Sequence, residues 1–192
     1  GELGWSSLPR VTPVRVLPAP GGFVGADILA GILAAGLHES RDIIGLVDLG
    51  TNGEIAIGNR ERILCTSTAA GPAFEGGRIE MGMQTRTGAI SSVRVEDGQL
   101  QCRVIGGGRP RGLCGSGLVE AVAAGLELGL IETSGRLTGG ASHMPLAGPV
   151  RLGQQDIREL QLAKGAIAAG QRILQDRLGV AASRAGVTAC PE

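Results

Sequence analysis

The chain has 192 residues, a formal net charge of +0, 43% hydrophobic residues and 19% charged residues. This balance is typical of a globular protein with a substantial core, and it lacks the basic excess of a nucleic-acid-binding protein. Glycine is frequent, at 34 residues, and aromatic residues make up only 2%. Because the glycines occur in short pieces without a repeat, they indicate tight turns and close backbone packing rather than collagen or disorder.

The cysteine pattern gives no metal motif. None of the four cysteines forms a CxxC pair, and neither histidine lies close to one in sequence. The pattern therefore argues against a zinc site or an iron–sulfur cluster within the chain, and favours reduced, buried thiols in a cytoplasmic protein. No apolar run reaches the roughly 18 residues of a membrane span. The sequence has no basic-then-apolar leader and no initiator Met, as expected for a piece of a longer protein.

The first part of the chain predicts an irregular lead-in and then a helix. Residues 1–20 are punctuated by proline, with one short strand predicted over Val14–Leu17. In the following stretch, "GGFVGADILAGILAAGL", apolar residues recur at helical spacing and place Asp27 in the first turn. An acid there is explained by the helix dipole. The functional alternative is a carboxylate that faces a ligand.

The stretch Ile43–Gly58, "IIGLVDLGTNGEIAIG", predicts a β-hairpin. Apolar, β-branched residues flank Asn52 and Gly53, the pair that best tolerates the positive φ angles of a tight hairpin turn.

A hairpin does not require the other polar and small residues of that stretch. A carboxylate such as Asp48 at the end of a buried strand is costly unless it meets a cation or hydrogen-bond donors. Small residues such as Gly50, together with Thr51, let backbone N–H groups approach an anion closely. A simple turn and a phosphate-binding loop therefore both remain open from this stretch.

The rest of the chain predicts further strands and helices. A third strand is expected over Arg62–Thr68, then a short helix in a glycine-framed loop, then a second hairpin that turns at Asp97-Gly98. Residues 132–149 are rich in Gly, Pro, Ser and Thr and predict a loop. A helix over Gln154–Leu178 carries a small-residue face suited to packing on a sheet. Together these elements predict an α/β fold with a mixed β-sheet flanked by helices.

A second glycine-rich segment, "RPRGLCGSGLVEAV", places Gly115, Ser116 and Gly117 at a helix N-terminus. Such a terminus suits an anion. The simpler interpretation is an ordinary helix start capped by Ser116. The sequence does not decide between them.

Other polar residues give weaker signals. Glu75, within "AAGPAFEGG", lies either in a surface loop or in a loop that closes over a ligand, where it would contact a metal or a ribose. His38 and His143 have no sequence partners and are interpreted as surface or structural residues. No Ser–His–Asp or Cys–His set can be assembled.

The order of these elements resembles the second half of the actin-like ATPase superfamily, which includes sugar kinases, acetate kinase and heat-shock chaperones. The resemblance is based on the stretch "DILAGILAAGL", which is followed by "VDLGTNGE". In that superfamily a helix with a water-positioning acid precedes two strands, and the loop between them contacts nucleotide phosphates.

The chain is more closely similar to the ATP-dependent reductive activators of corrinoid proteins. The similarity covers most of the chain, from about Val14 to Leu178, and is carried by five blocks in the same order: "GFVGADILAGILAAGL", "DLGTNGEIAIGNR", "AAGPAFEGGRIEMGM", "GLCGSGLVEAV" and "DIRELQLAKGAIAAGQRIL". The resemblance implies the actin-like, ribonuclease H-like ATPase fold.

The resemblance also implies a function. These activators return corrinoid cobalt from Co(II) to Co(I), so that it can again accept a methyl group. They use ATP with Mg²⁺, and an iron–sulfur domain is thought to supply the electron. The implied partner is a corrinoid protein or a corrinoid-dependent methyltransferase, with no nucleic acid and no membrane. A homodimer is left open.

Site residues follow from the same resemblance. Asp27 would orient the attacking water, and Asp48 would act through Mg²⁺ or its waters. The phosphates would be held by backbone N–H groups and the Thr51 hydroxyl. The implied nucleotide-binding set is Gly50, Thr51, Asn52, Gly53, Glu54, Gly71, Gly115, Ser116 and Gly117, the last four framing the nucleotide or a cleft between lobes.

The chain departs from the family pattern in three ways. It contains no ferredoxin-like cysteine cluster, no earlier phosphate loop and no adenosine-contacting glycine segment after the long helix. We therefore expect residues 1–192 to be a single C-terminal ATPase lobe, excised from a longer protein and inactive alone. Two alternatives remain: the lobe of a small-molecule kinase, and a non-catalytic docking or dimerisation module of the same fold.

Overall fold

The computed structural model describes residues 15–180 and 186–187. The helices and strands of that part, in chain order, are α1 (Ala26–Ala34), β1 (Ile44–Leu49), β2 (Gly53–Gly58), β3 (Ile63–Thr68), β4 (Ala89–Glu96), β5 (Gln99–Val104), β6 (Gly112–Leu113), α2 (Gly115–Glu127), β7 (His143–Ala147), β8 (Val150–Gly153), α3 (Gln154–Leu178) and β9 (Gly186–Val187). Short 3₁₀ turns occupy Pro72–Glu75 and Thr138–Gly140. Within the described residues, no helix combines the length and apolarity needed to cross a membrane.

The first sheet has strand order β3-β2-β1-β9, and a helix covers each of its faces. Strands β1, β2 and β3 are antiparallel neighbours, while β9 runs parallel to β1. Side chains alternate along β2, because successive residues of a strand point to opposite faces. Ala56 packs with α1, whereas Ile55 and Ile57 pack with Leu174 of α3. The predicted mixed sheet flanked by helices is confirmed.

Helix α3 lies close to this sheet because small residues face it. The predicted helix over Gln154–Leu178 is confirmed. A Cβ atom added to Gly170 would lie 2.5 Å from Thr68 Cγ2 and 3.0 Å from Ile55 Cδ1. Since the sheet leaves no room for a larger side chain here, the glycine sets the distance between α3 and the strands.

The second sheet has strand order β5-β4-β6, and α2 packs on β4. Its hairpin turns at Asp97 (φ 50°) and Gly98 (φ 73°), as predicted. The Glu120 carboxylate joins α2 to β4 by accepting the Ser92 hydroxyl at 2.7 Å and the Val93 N–H at 2.8 Å.

Two predictions of strand and loop assignment were wrong. Residues 132–149 were expected to form a loop, but His143–Ala147 is strand β7, which pairs with β8. The buried side chains of Met144, Val150 and Leu152 hold this hairpin in the core, which outweighs the local signals of its proline and glycines. The strand predicted over Val14–Leu17 is absent from the described residues 15–17, and Val14 lies outside them.

Candidate functional site

The connection between β1 and β2 is not the turn that its sequence predicts. The last pair of the ladder is Leu49 with Gly53, so the loop is Gly50–Asn52. Neither Asn52 nor Gly53 has a positive φ angle, so the predicted Asn-Gly turn is wrong. Packing explains the glycine instead, since a Cβ atom on Gly53 would lie 2.6 Å from Ile167 Cγ1. The hairpin itself is confirmed.

All three polar groups of Thr51 are bound by the segment that follows β3. Its N–H and its hydroxyl both donate to Glu75 Oε1, at 3.0 and 2.9 Å. Its carbonyl accepts the Gly71 N–H at 2.8 Å. Thr51 and Glu75 are both exposed. The loop thus presents a backbone donor and a hydroxyl donor to a single oxygen of an anion.

Two acidic residues lie opposite each other in the strand register at the base of the loop. Asp48 on β1 is the direct cross-strand partner of Glu54 on β2. Glu54 Oε1 in turn accepts the Ser67 hydroxyl from β3 at 3.1 Å. Directly opposed residues share one face of a sheet, and like charges in that position repel each other. A bound cation would relieve that repulsion.

Helix α1 covers the sheet face that carries Asp48 and Glu54. Leu46, two residues before Asp48 and therefore on the same face, packs against α1. Asp27 lies in the first turn of α1, exposed, and accepts the N–H of Ile28 at 3.0 Å. The structure thus places Asp27 and Asp48 on one side of the sheet but does not bring them into hydrogen-bond contact.

An open crevice borders the loop. It has a volume of about 450 Å³ and lies between the segment that leads into α1 and the adjacent ends of β2 and β3. Its lining includes Gly21–Val24, Asn52 and residues 65–69. The loop predicted to hold phosphate therefore lies at the edge of a crevice and is not packed into the protein interior.

The start of α2 reaches the loop through the Pro72–Glu75 turn. A Cβ atom on Gly115 would overlap the Phe74 carbonyl oxygen, and one on Gly117 would overlap the Ile90 carbonyl oxygen. These glycines therefore allow α2 to pack closely on the turn and on β4. The N-cap is Cys114, so the simpler of the two interpretations, in which Ser116 caps the helix, is wrong. The Ser116 hydroxyl donates to the Ser91 carbonyl at 2.8 Å.

The pKa of the Cys114 thiol at the start of α2 is shifted in the opposite direction from the pKa values of the other two described thiols. Burial raises the pKa of the Cys65 and Cys102 thiols. Burial also raises the pKa of Cys114, but hydrogen bonds from the Ser116 hydroxyl and the Gly117 N–H outweigh it and hold this pKa below its ordinary value. The N-terminus of α2 thus stabilises negative charge, as expected of unpaired helix N–H groups.

No metal centre is built from protein side chains alone in the described part of the chain. There, no group of three or more His, Cys, Asp or Glu side chains is placed to hold a metal ion. Magnesium at nucleotide sites commonly takes only one or two carboxylates and completes its shell with phosphate oxygens and water. A pair such as Asp48 and Glu54 fits that kind of binding.

A second polar cluster was missed in the sequence. His143, expected to lack partners, has Nε2 2.9 Å from Glu80 Oε2 and Nδ1 2.9 Å from the Ser142 hydroxyl. Arg151 donates to the other oxygen of Glu80 at 2.6 Å. The Arg151 hydrogen bond, followed by that of His143, lowers the pKa of Glu80. The cluster ties the segment after the Pro72–Glu75 turn to β7 and β8, and no local sequence signal links residues so far apart.

Comparison with known proteins identifies the family. A family model described as the C-terminal domain of RACo, the ASKHA domain, matches residues 42–187. The corrinoid activation enzyme RamQ of Eubacterium limosum is 38% identical over 88% of this chain and 33% of its own length. The [Co(II) methylated amine-specific corrinoid protein] reductase of Methanosarcina barkeri is 32% identical over 87% of this chain and 35% of its own length.

A solved structure agrees. The reductive activator for corrinoid, iron–sulfur protein superposes with a TM-score of 0.78 at 30% identity, over 89% of this chain and 31% of that one. The chain spans about a third of the length of the relatives it matches. The expected actin-like fold is confirmed. The chain belongs to the family of RACo C-terminal ASKHA domains.

Proposed function

We propose that the chain is the nucleotide-binding lobe of an ATP-dependent activator that returns corrinoid cobalt from Co(II) to Co(I). The observation that carries the proposal is the Thr51 contact, in which an N–H and a hydroxyl converge on one carboxylate oxygen. Those are the donor types that hold a nucleotide phosphate, and the adjacent residue Asn52 lines an open crevice. The names of the relatives supply the reaction class, since each is named for corrinoid activation or reduction.

In this proposal, the β1–β2 loop binds phosphate. The N–H groups and hydroxyl of Gly50–Gly53 take the phosphate oxygens, and the loop's small residues keep side chains out of the way. Gly71 fixes the loop by donating to the Thr51 carbonyl. The start of α2, Gly115–Gly117, adds a positive helix terminus on the far side of the Pro72–Glu75 turn.

The carboxylates are proposed to serve the metal and the water. Asp48 acts on Mg²⁺ directly or through its waters, and Glu54 supports it from the opposite strand. When bound, Mg²⁺ would neutralise phosphate charge. Asp27 orients the water that attacks the terminal phosphate.

The overall reaction balances in two parts. One electron converts Co(II) to Co(I), and we propose that it comes from an iron–sulfur domain outside residues 1–192. Hydrolysis converts ATP and water to ADP and phosphate. ATP assists only if it binds two conformations of the protein with different affinity, with hydrolysis resetting the cycle. The partner is a corrinoid protein or corrinoid-dependent methyltransferase in the cytoplasm, and residues 1–192 form one lobe that does not turn over alone.

The test is formation of Co(I) by the full-length protein that carries this chain. The protein is mixed with a Co(II) corrinoid protein, a low-potential reductant and Mg·ATP, and Co(I) is followed by its absorbance. We expect ATP-dependent Co(I) formation, reduced at least about tenfold in Asp48→Asn, as for loss of a charge that acts on the transferring phosphate. Glu61→Gln, at the opposite end of β2, serves as the control.

Other results would assign the lobe differently. Co(I) formation that does not need nucleotide, together with tight binding of the corrinoid protein, would favour a docking module. ATP-dependent phosphorylation of a small molecule without Co(I) formation would favour a kinase. Either result would overturn the proposal.

A further inference from the structure

We propose that the Glu75 carboxylate is an internal stand-in for phosphate, which occupies the β1–β2 loop without nucleotide and is displaced when nucleotide binds. The inference rests on the proposed function, because it concerns the same loop. It assigns Glu75 a role that sets nucleotide affinity, in place of the metal or ribose contact considered from the sequence.

Glu75 already occupies the donors of the β1–β2 loop that a phosphate would need. Thr51 offers the loop's hydroxyl and a backbone N–H, and both point to Glu75 Oε1. The Gly50 N–H donates to the Asn52 carbonyl at 3.2 Å. A phosphate oxygen cannot accept from Thr51 while the carboxylate does, since the two anions would share one position and repel each other. Nucleotide binding at this loop therefore requires the carboxylate to leave.

Only the side chain of Glu75 needs to move to free the loop. The backbone of its turn is held by the N–H of Gly76 on the Ala73 carbonyl at 3.0 Å and that of Gly77 on the Pro72 carbonyl at 2.8 Å. Ala73 is buried, and Gly115 packs against the Phe74 carbonyl. The turn is thus fixed from the core side. Glu75 itself is exposed, so a change of rotamer carries its carboxylate into solvent.

Within residues 15–180, the Glu75 carboxylate has no salt bridge that would hold it in place. An exposed hydrogen bond without an opposite charge is weak enough to exchange on ligand binding. Yet it keeps the two Thr51 donors satisfied and the loop ordered in the empty protein. The contact thus has the properties of a placeholder.

The Glu75 contact should weaken the affinity of the loop for nucleotide. A ligand that binds only the minor, open form has its affinity reduced by the fraction of that form. If the carboxylate occupies the loop about nine-tenths of the time, its removal tightens binding about tenfold. We therefore expect Glu75→Ala to bind Mg·ATP roughly five- to tenfold more tightly than the wild type. Glu75→Gln, whose amide oxygen can still accept from Thr51 but carries no charge, should fall between them.

The experiment measures Mg·ATP binding by calorimetry on the full-length protein, with amide hydrogen exchange of the Thr51 peptide as a second readout. The matched control is Glu61→Ala, which removes one exposed carboxylate at the far end of β2 and should leave affinity unchanged. Without nucleotide, Thr51 should exchange faster in Glu75→Ala than in the wild type. With saturating Mg·ATP, the two proteins should exchange alike.

The outcomes separate the inference from the proposed function. If the wild type binds Mg·ATP and Glu75→Ala binds equally or more weakly, Glu75 is not a placeholder, while the proposed function stands. If neither protein binds Mg·ATP although Glu75→Ala speeds Thr51 exchange, the contact is real but the loop is not a nucleotide site, and both proposals fail.

Discussion

Two β-hairpins of this lobe, β1–β2 and β4–β5, carry nearly the same turn signal and use it differently. Asp97-Gly98 joins β4 to β5 with positive φ angles at both residues, as the dipeptide predicts. Asn52-Gly53 does not, and the chain instead makes a three-residue loop, Gly50–Asn52. The Asp97-Gly98 turn is closed by the direct pairing of Glu96 with Gln99. The β1–β2 loop is held by residues from elsewhere, chiefly Glu75.

The difference indicates which of the two turns can bind a ligand. A turn that is closed by pairing of its flanking residues needs no contact from elsewhere in the chain. A loop whose donors are satisfied by a displaceable side chain keeps them available. The contrast between Asp97-Gly98 and Gly50–Asn52 therefore supports a functional interpretation of Gly50–Asn52.

The largest effect is expected at Gly115. In Gly115→Ala the new Cβ would overlap the Phe74 carbonyl, so the Pro72–Glu75 turn must shift. We expect the free energy of unfolding to fall by about 3 kcal/mol, as in overpacked sites, measured by urea denaturation. The control is Gly165→Ala in α3, where no atom lies within 4 Å of the added Cβ. Equal stability of Gly115→Ala and the wild type would mean that the β1–β2 loop does not depend on α2.

A smaller effect separates the two turns directly. Gly98 has φ 73°, so Gly98→Ala should lower the free energy of unfolding by about 1 kcal/mol through backbone strain. Asn52 has no such angle, and Asn52→Ala should change it by less than about 0.5 kcal/mol. Thermal or urea unfolding measures both. A larger loss in Asn52→Ala would show that the β1–β2 loop needs its Asn-Gly pair for folding after all.

The smallest effect concerns pH. The Ser92 hydroxyl, which donates to Glu120, lowers the pKa of that carboxyl below its ordinary value of 4.5. A lowered folded-state pKa adds stability above the unfolded-state pKa, and this is lost as the pH falls through the folded-state value. Stability should therefore decline below about pH 4.5 by less in Glu120→Gln than in the wild type. Identical pH profiles would show that α2 does not anchor β4, and hence the second hairpin, through this carboxylate.

The sequence predicts the fold well where its patterns are long and local. The hairpin within Ile43–Gly58 and the helix Gln154–Leu178 are confirmed because apolar spacing decides them. The β7–β8 hairpin was missed because its strands are short and contain Pro145. Burial of Met144 and Leu152 stabilises them, and burial depends on packing that a local window does not contain.

The candidate site could be predicted only in part. The loop, its acids and Asp27 are identifiable from residue types and family resemblance, and their roles remain predictions. The partnership of Thr51 with Glu75 spans 24 positions, and that of His143 with Glu80 spans 63. Contacts at such separations follow from the tertiary fold, so no motif in one sequence indicates them.

The most direct test of the central claim, that the β1–β2 loop binds nucleotide phosphate, is amide hydrogen exchange of the full-length protein with and without Mg·ATP. Peptides that cover Asp48–Glu54 should become protected, while those that cover Asp97-Gly98 should not change. Protection elsewhere with no change at Asp48–Glu54 would show that the β1–β2 loop does not bind nucleotide phosphate.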